Sequence, residues 1–420
     1  MEEIKRIWNM ENLRKKILFT FAMIMLFRIG CSIPIPFVNP DVINGLFSGE
    51  SALGYINLIS GGALEQTSLF ALGISGYINA SIVVQLFVYS LSLFENEDDK
   101  EKEKKIKKLR YAFAGFFYFV MAIGYYFMLR NFGALRNNSF LMALATVVVY
   151  TIGGLIVLVI GKLIDEKGIG NGISLIILTG IVHRLLETVP YFVLSVKAAL
   201  KGQVMFLFIG LLAALFVIGS LFFVVFADGS EKRIPIKYAG GVKGGQRYKG
   251  QETYIPFRLM INGVLPVIFA STILSIPALI AMFLDKDSAI YSFLSGFKAT
   301  SILYIVLYAV LIYGFNMFYL TVQYNIVEMA NNLRINGAVI LGYRPGKPTI
   351  NYLTDQMKHM AKVGSVYLAA IAIAPIVFQA VTGYAVGFAG TGSLIVVGVS
   401  LELIRQIETE TTMHRTSIFR

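Results

Sequence analysis

A single cysteine, Cys31, rules out an internal disulfide. The three histidines, His183, His359 and His414, stand far apart and without metal-ligand spacing. There is no HExxH, no G-x-S-x-G and no pair of carboxylates inside one apolar segment, so neither a zinc site nor a nucleophile elbow can be assembled. The stretch GIGNGI at 168–173 fails the dinucleotide fingerprint, because Ile173 stands where the last glycine belongs and no βαβ pattern surrounds it. It fails the P-loop pattern as well, having no Gly-Lys-Ser/Thr after it. We therefore expect no enzyme, no cofactor and no metal. Charge is scarce, at 15% of residues, and one-sided, with 37 basic against 25 acidic side chains and a net charge of +12.

What the chain has in excess is apolar residues, 56% of the total, with a mean hydropathy of +0.69. A soluble domain holds closer to about 45–50%. A helix needs roughly 20 apolar residues to cross about 30 Å of hydrocarbon. Runs of that kind lie near 17–33, 70–94, 111–129, 139–161, 204–226, 259–283, 301–325 and 363–381, with shorter ones near 173–182 and 393–404. The expected fold is all-α and polytopic, with ten transmembrane helices. If the N-terminus is cytoplasmic, segments 1–16, 95–110, 162–171, 227–258, 326–362 and 405–420 share that side and hold 29 of the 37 basic residues. Basic residues stay on the cytoplasmic side, so both termini are expected there. That positive face should meet acidic partners or anionic lipids.

Arg28 interrupts the first apolar run and no small-residue cleavage site follows it, so the run reads as a span and not as a removed signal. The same arginine, three positions before Cys31, argues against a lipoprotein signal. Cys31 reads as a small packing residue. Pro34 and Pro36 end this helix, since proline lacks the amide hydrogen that would continue it.

Two glycine-rich stretches resemble each other. GNGISLII at 170–177 and GTGSLIVV at 390–397 both run Gly-polar-Gly, then serine, then branched apolar residues. They open the fifth and the tenth spans, which cross in opposite directions. That is the pattern of an inverted repeat, five spans plus five, related by an axis in the membrane plane. The second span, with Gly61, Gly62, Gly73 and Gly76, and the seventh, with Gly263 and Pro266, are interrupted at matching places. Irregular backbone at membrane depth is tolerated where it lines protein or a water-filled cavity. The expected architecture is thus two inverted five-helix halves, residues 1–200 and 201–420, around a central pore.

Solute carriers place ionisable groups at the midplane. The interrupted segments instead offer Ile74, Ile78, Ile177, Ile268 and Ile395. Any one of them alone reads as helix packing; a collar of them makes a constriction closed by dewetting. An inverted-repeat secondary transporter is the alternative, and a buried acid or cation pair in the broken spans would favour it. The stretch 95–110 reads as a solvated helix end. Loop 227–258 is glycine-rich and mixes seven basic residues with Tyr238, Tyr248 and Tyr254, which suits either a topogenic loop or a docking surface.

Six stretches in order, LFRIGCSIPIP (26–36), SGGALEQTSLFALGI (60–74), EKGIGNGISLII (166–177), GVLPVIFAS (263–271), GYRPGKPT (342–349) and GTGSLIVVGV (390–399), resemble the SecY family of bacterial protein translocase subunits, nearly end to end. The resemblance implies a channel that moves secretory polypeptides across the bacterial cytoplasmic membrane and membrane proteins sideways into it. An accessory paralogue of the family with dedicated substrates is the other form this resemblance allows. It also implies a pore ring of the five isoleucines. A plug follows from Ile56, Asn57, Leu58, Ile59, Ser60, Gly61, Gly62, Ala63, Leu64, Glu65 and Gln66. A lateral gate between spans two and three and spans seven and eight would use Asn79, Met260 and Asn262. By the same resemblance, loops 227–258 and 326–360 should dock the SecA motor ATPase and the ribosome through Arg344, Lys232, Arg233, Lys243, Arg247 and Lys249. The implied partners are SecE and SecG, signal sequences and nascent polypeptides, with no nucleic acid contacted beyond ribosomal RNA. Two positions depart from the family pattern. Gly76 stands where a proline is usual, and Arg258-Leu259-Met260 replaces Lys-Val-Asn, with Asn262 two positions on.

Overall fold

The computed structural model describes residues 10–36, 38–39, 63–64, 66–91, 99–135, 139–183, 204–238, 242–243, 246–247, 252–281, 283–284, 288–295, 300–382 and 391–418. Five helices lie in the first part of the chain: α1 (Glu11–Cys31), α2 (Ser75–Ser90), α3 (Asp99–Asn131), α4 (Phe140–Lys167) and α5 (Gly172–His183). Then come α6 (Val204–Asp228), the strands β1 (Glu231–Tyr238), β2 (Val242–Lys243), β3 (Gln246–Arg247) and β4 (Glu252–Arg258), and α7 (Leu265–Ala281). The remainder holds α8 (Ala289–Ser295), α9 (Ile302–Gln323), α10 (Ile326–Ile335), β5 (Ala338–Ile340), α11 (Lys347–Thr382) and α12 (Thr391–Ile418).

Each expected apolar run falls on a helix. By length and hydropathy α3, α4, α6, α9 and α11 suffice to cross a membrane, while α2, α5 and α7 are shorter apolar helices. Several helices are apolar all round. Leu215, Phe222 and Phe226 of α6 and Ile302, Leu303 and Val310 of α9 are exposed. A surface of that kind is stable where lipid, not water, is the solvent.

The helices pair mainly within two groups. In the first, α2 packs on α3, α3 on α4 and α1 on α4; in the second, α7 packs on α9, α9 on α11 and α6 on α12. Each group has its own core, around Tyr118, Tyr125 and Tyr150 in one and Tyr308, Ile312 and Leu368 in the other. A third apolar cluster joins the two.

The stretch 227–258 corrects an expectation: it is more than a basic loop. β1 pairs antiparallel with β4 and with β5, giving the sheet order β4-β1-β5, and β2 pairs with β3 as a short hairpin. Ile234 and Ile236 of β1 turn inwards while Arg233 and Pro235 face out, the period-two alternation of a half-buried strand. The buried face covers Leu353 and Met357 of α11. Composition had masked this alternation, because charged residues and a proline surround the two inward isoleucines.

The glycine stretch at 168–173 is a tight crossover from α4 to α5. Gly170 has φ +84°, which glycine adopts without strain. A Cβ on Gly172 would stand 2.1 Å from the carbonyl oxygen of Gly161, so α4 and α5 meet backbone to backbone there. The freed amides are satisfied by side chains. Gly172 donates to Asp165 Oδ1 at 2.7 Å, Gly170 to Gln406 Oε1 at 2.8 Å and Ile169 to Thr20 Oγ1 at 2.9 Å. Asn171 caps α5 by accepting from the Ser174 amide at 3.1 Å. The glycines let a short helix start against its neighbour.

Candidate functional site

Ile74, Ile78, Ile177, Ile268 and Ile395 come from four separate helices and their lead-ins, and all five sit in the apolar cluster that joins the two helix groups. None is more than 8% exposed. On one side of them lies a cavity of about 710 Å³. Ile177, Ile268 and Ile395 line it together with Asn171, Ser174, Met260, Asn262, Glu402 and Arg405. The polar residues come from the start of α5, the lead-in to α7 and the middle of α12, and β4 borders the same cavity. The cavity therefore narrows from a mixed polar mouth to branched hydrocarbon. Water has no hydrogen-bond partner among isoleucines, so such a floor stays dry.

The two interrupted spans are built alike. Gly73 has φ +49° two residues before α2 begins at Ser75, and Gly263 has φ +58° two residues before α7 begins at Leu265. Ile78 and Ile268 each follow three residues into the helix. A tyrosine from the next long helix ties down each lead-in. Tyr118 of α3 donates to the Gly73 carbonyl at 3.0 Å, and Tyr324, which closes α9, donates to the Ile261 carbonyl at 3.2 Å. The ring of Tyr118 also occupies the space beside Gly76, where a Cβ would meet it at 2.6 Å. Gly76 makes room for that ring.

Of the expected plug, Ala63, Leu64 and Gln66 are described; positions 56–62 and Glu65 lie outside the described residues. Ala63 is buried in the cluster that joins the two groups and Leu64 in the core of the first. Tyr125 donates to the Leu64 carbonyl at 2.6 Å, and Ser68 Oγ to the Ala63 carbonyl at 3.1 Å.

The expected gate residues are brought to different places. Asn79 lines a crevice of about 290 Å³ between α2, α3 and α7, with Ile82, Phe117, Ile273, Leu279 and Phe283. Its amide donates to Met121 Sδ at 3.6 Å, within its own helix group. Asn262 and Met260 lie in the cavity instead. Asn262 Nδ2 donates to the carbonyl and to Oδ1 of Asn316, both at 2.7 Å; Asn316 in turn donates to the Ala361 carbonyl and to Ser365 Oγ, both at 2.8 Å. Asn79 and Asn262 therefore do not meet: each amide serves its own group. Sequence reasoning missed Asn316, and it missed Gln85 of α2, whose side-chain oxygen accepts from the Tyr319 hydroxyl of α9. Both were findable, because a polar side chain inside an apolar span is rare and seldom idle.

On the face that carries the sheet, Lys232 and Arg233 are exposed on β1. Arg233 donates to Glu231 at 2.7 Å and lies 4.6 Å over the Tyr254 ring, and the hydrogen bond to Glu231 holds its pKa above the ordinary guanidinium value. Lys243 and Arg247 fall on the β2–β3 hairpin, where the backbone alone is described, and Lys249 lies outside the described residues. Arg344 is exposed in the turn from β5 to α11, between Gly342 at φ +89° and Gly346 at φ +107°. Its carbonyl accepts from Thr349 Oγ1 at 2.8 Å, and Tyr343 stacks on Tyr352 at 4.1 Å, so the turn is fixed on the α11 helix. On this face α10 and β4 border an open groove of about 510 Å³ lined by Asn325, Glu328, Asn332 and Asn336. Among the described residues no group of three His, Cys, Asp or Glu could hold a metal.

Comparison with known proteins agrees with this geometry. The SecY family model matches residues 68–404. The protein translocase subunit SecY of Corynebacterium glutamicum is 35% identical, with 98% of each chain covered. A solved protein-conducting channel superposes with a TM-score of 0.73 at 18% identity, covering 94% of this chain and 92% of that one. Sec61 from a canine ribosome-channel complex superposes with a TM-score of 0.65 at 17% identity, over the same shares of the two chains.

Proposed function

The chain belongs to the SecY family, is a protein-conducting channel subunit of a translocase and spans the membrane several times; from that premise we propose how its parts divide the work. Residues 1–200 and 201–420 form the two inverted halves, with α2, α3, α7 and α9 at the seam that opens sideways to lipid. The five isoleucines are the pore ring, and 56–66 is the plug above it. Met260 and Asn262 belong to the mouth of the gate, and Asn79 to its wall. The cavity of about 710 Å³ is the cytoplasmic vestibule through which an unfolded passenger arrives. A polypeptide has varied side chains, so its channel needs a seal that fits none of them and closes by dewetting. The convergence of the five isoleucines into one buried cluster is the observation that carries this reading.

The cytoplasmic face is where Arg344, Lys232, Arg233, Lys243, Arg247 and Lys249 engage the SecA motor or the ribosome, with SecE, SecG and anionic lipids completing the complex. Both termini lie in the cytoplasm of a bacterial cell and the spans in its inner membrane. Purified complex in a planar bilayer tests the seal. Replacing Ile78 and Ile268 together by Asn should admit water and pass small ions at rest. A silent channel carrying both asparagines would refute the ring.

A further inference from the structure

We propose that Gln85 and Tyr319 are the inner latch of the sideways gate, a positioning pair whose hydrogen bond must break before the seam between α2 and α9 parts. The inference rests on the gate assigned above and names the bond that keeps it shut.

The seam is held differently along its length. At the outer end Asn131 of α3 donates to the Leu284 carbonyl, just past α7, at 2.9 Å. At the cytoplasmic end the Tyr319 hydroxyl donates to the side-chain oxygen of Gln85. Next to it Tyr89 of α2 meets Phe318 of α9 edge to face, with ring centroids 4.9 Å apart. Between these ends lies the apolar crevice of about 290 Å³. The two polar residues on its walls are turned to their own sides, Asn79 towards Met121 and Thr272 Oγ1 towards the Ile268 carbonyl.

The two end bonds differ in kind. The outer one finishes on a backbone carbonyl, fixed by the chain that follows α7. The inner one needs two side chains, and each is held in place. Tyr319 is 2% exposed and its ring packs on Phe269 of α7 at 5.1 Å. Gln85 is half-buried on α2, whose other polar neighbour Tyr77 accepts instead from Arg110 of α3 at 3.2 Å. An apolar passenger helix wedged into the crevice offers Gln85 and Tyr319 no replacement partner. Both side chains are near the cytoplasmic ends of their helices, so on parting they can turn to water. That makes the bond strong enough to bias the closed seam and cheap enough to break.

The test uses the complete reconstituted complex. In a Cys31→Ser background, cysteines replacing Phe87 of α2 and Val322 of α9, which are 51% and 38% exposed, carry a donor–acceptor dye pair. Tyr319→Phe and Gln85→Leu should each raise the separated population of the resting complex between about threefold and about tenfold, the range of single hydrogen bonds inside membranes. The double variant should do no more than either single one, which loosened packing alone would not produce. Effects that multiply, or no effect while an engaged secretory passenger still separates the dyes, would overturn the latch and leave the gate standing. Dyes that stay together with a passenger engaged would overturn the gate, and the latch with it.

Discussion

The two interrupted spans share one plan and differ in how tightly they are enclosed. The lead-in to α2 is almost wholly buried from Thr67 to Gly76, with only Leu69 half-buried. A Cβ on Gly153 of α4 would stand 2.0 Å from the Leu69 carbonyl, and the Tyr118 ring lies between Gly76 and Gly154. The lead-in to α7 is looser. Gly263 has no neighbour within 4 Å of where a Cβ would be, and residues 260–265 line the vestibule. It shares the close backbone approach, since a Cβ on Gly364 of α11 would stand 2.4 Å from the Leu259 carbonyl, and it adds a polar anchor, the Asn262–Asn316–Ser365 chain. The difference teaches a division of labour. On the function proposed above, the more enclosed lead-in belongs to a rigid wall and the looser one to the surface that yields to a passenger.

The largest test of that contrast is Gly153→Ala. Backbone on both sides of the contact cannot yield, so overpacking should cost about 3 kcal/mol or more. Cys31 is the sole thiol and is buried, so a thiol-reactive dye reports unfolding without added labels. A melting curve unchanged by the methyl group would mean that the wall is not rigid. Next comes Asn316→Leu on the loose side. It removes the partner of Asn262 and leaves that amide buried, at a cost of about 2 kcal/mol in the same melt. The vestibule side should loosen first, seen as faster hydrogen exchange in 259–268 than in 67–76. Uniform loosening would erase the distinction. Smaller again is Gly263→Ala. With space free, it meets only the strain of φ +58°, about 1 kcal/mol.

Much of this was legible in the sequence, and the exceptions have physical causes. Long apolar runs gave the spans, since hydrocarbon demands uninterrupted apolar helix. Gly73 and Gly263 marked the breaks because only glycine takes a left-handed turn freely. Isoleucines at matching offsets pointed to one shared cluster, although their convergence is a property of three dimensions. The sheet escaped notice because its exposed positions carry the charges that also look like a topogenic loop. The partners of Asn79 and Asn262 escaped for another reason. A polar residue in a span must find a partner, but sequence does not say whether that partner is across a seam or on the next helix of its own group. Asn316 and Tyr319 are three residues apart on α9, and one holds its half together while the other reaches across to Gln85.

The smallest effect is that of Tyr324→Phe, and it is read against its counterpart at the first lead-in. Tyr118→Phe keeps a ring that is already confined between Gly76 and Gly154, so packing is unchanged and only the hydroxyl is lost. Tyr118 is 0% exposed, and the Gly73 carbonyl it serves is buried too, so no water can take its place. An orphaned buried acceptor costs about 1–2 kcal/mol. Tyr324→Phe deletes the corresponding hydroxyl at the α7 lead-in, but Tyr324 and Ile261 are both half-buried and both line the vestibule. Water can reach the Ile261 carbonyl there and replace the lost bond at little cost, so the effect should stay below about 0.5 kcal/mol. The pair is a fair comparison, because the donor, the acceptor type and the chemical change are the same. Only access to water differs. Thermal melts reporting through Cys31 should therefore show Tyr118→Phe clearly below the parent and Tyr324→Phe nearly superimposed on it. Equal shifts would mean that the second lead-in is as dry as the first, and a wall as rigid as the first half would then stand where a yielding surface is needed.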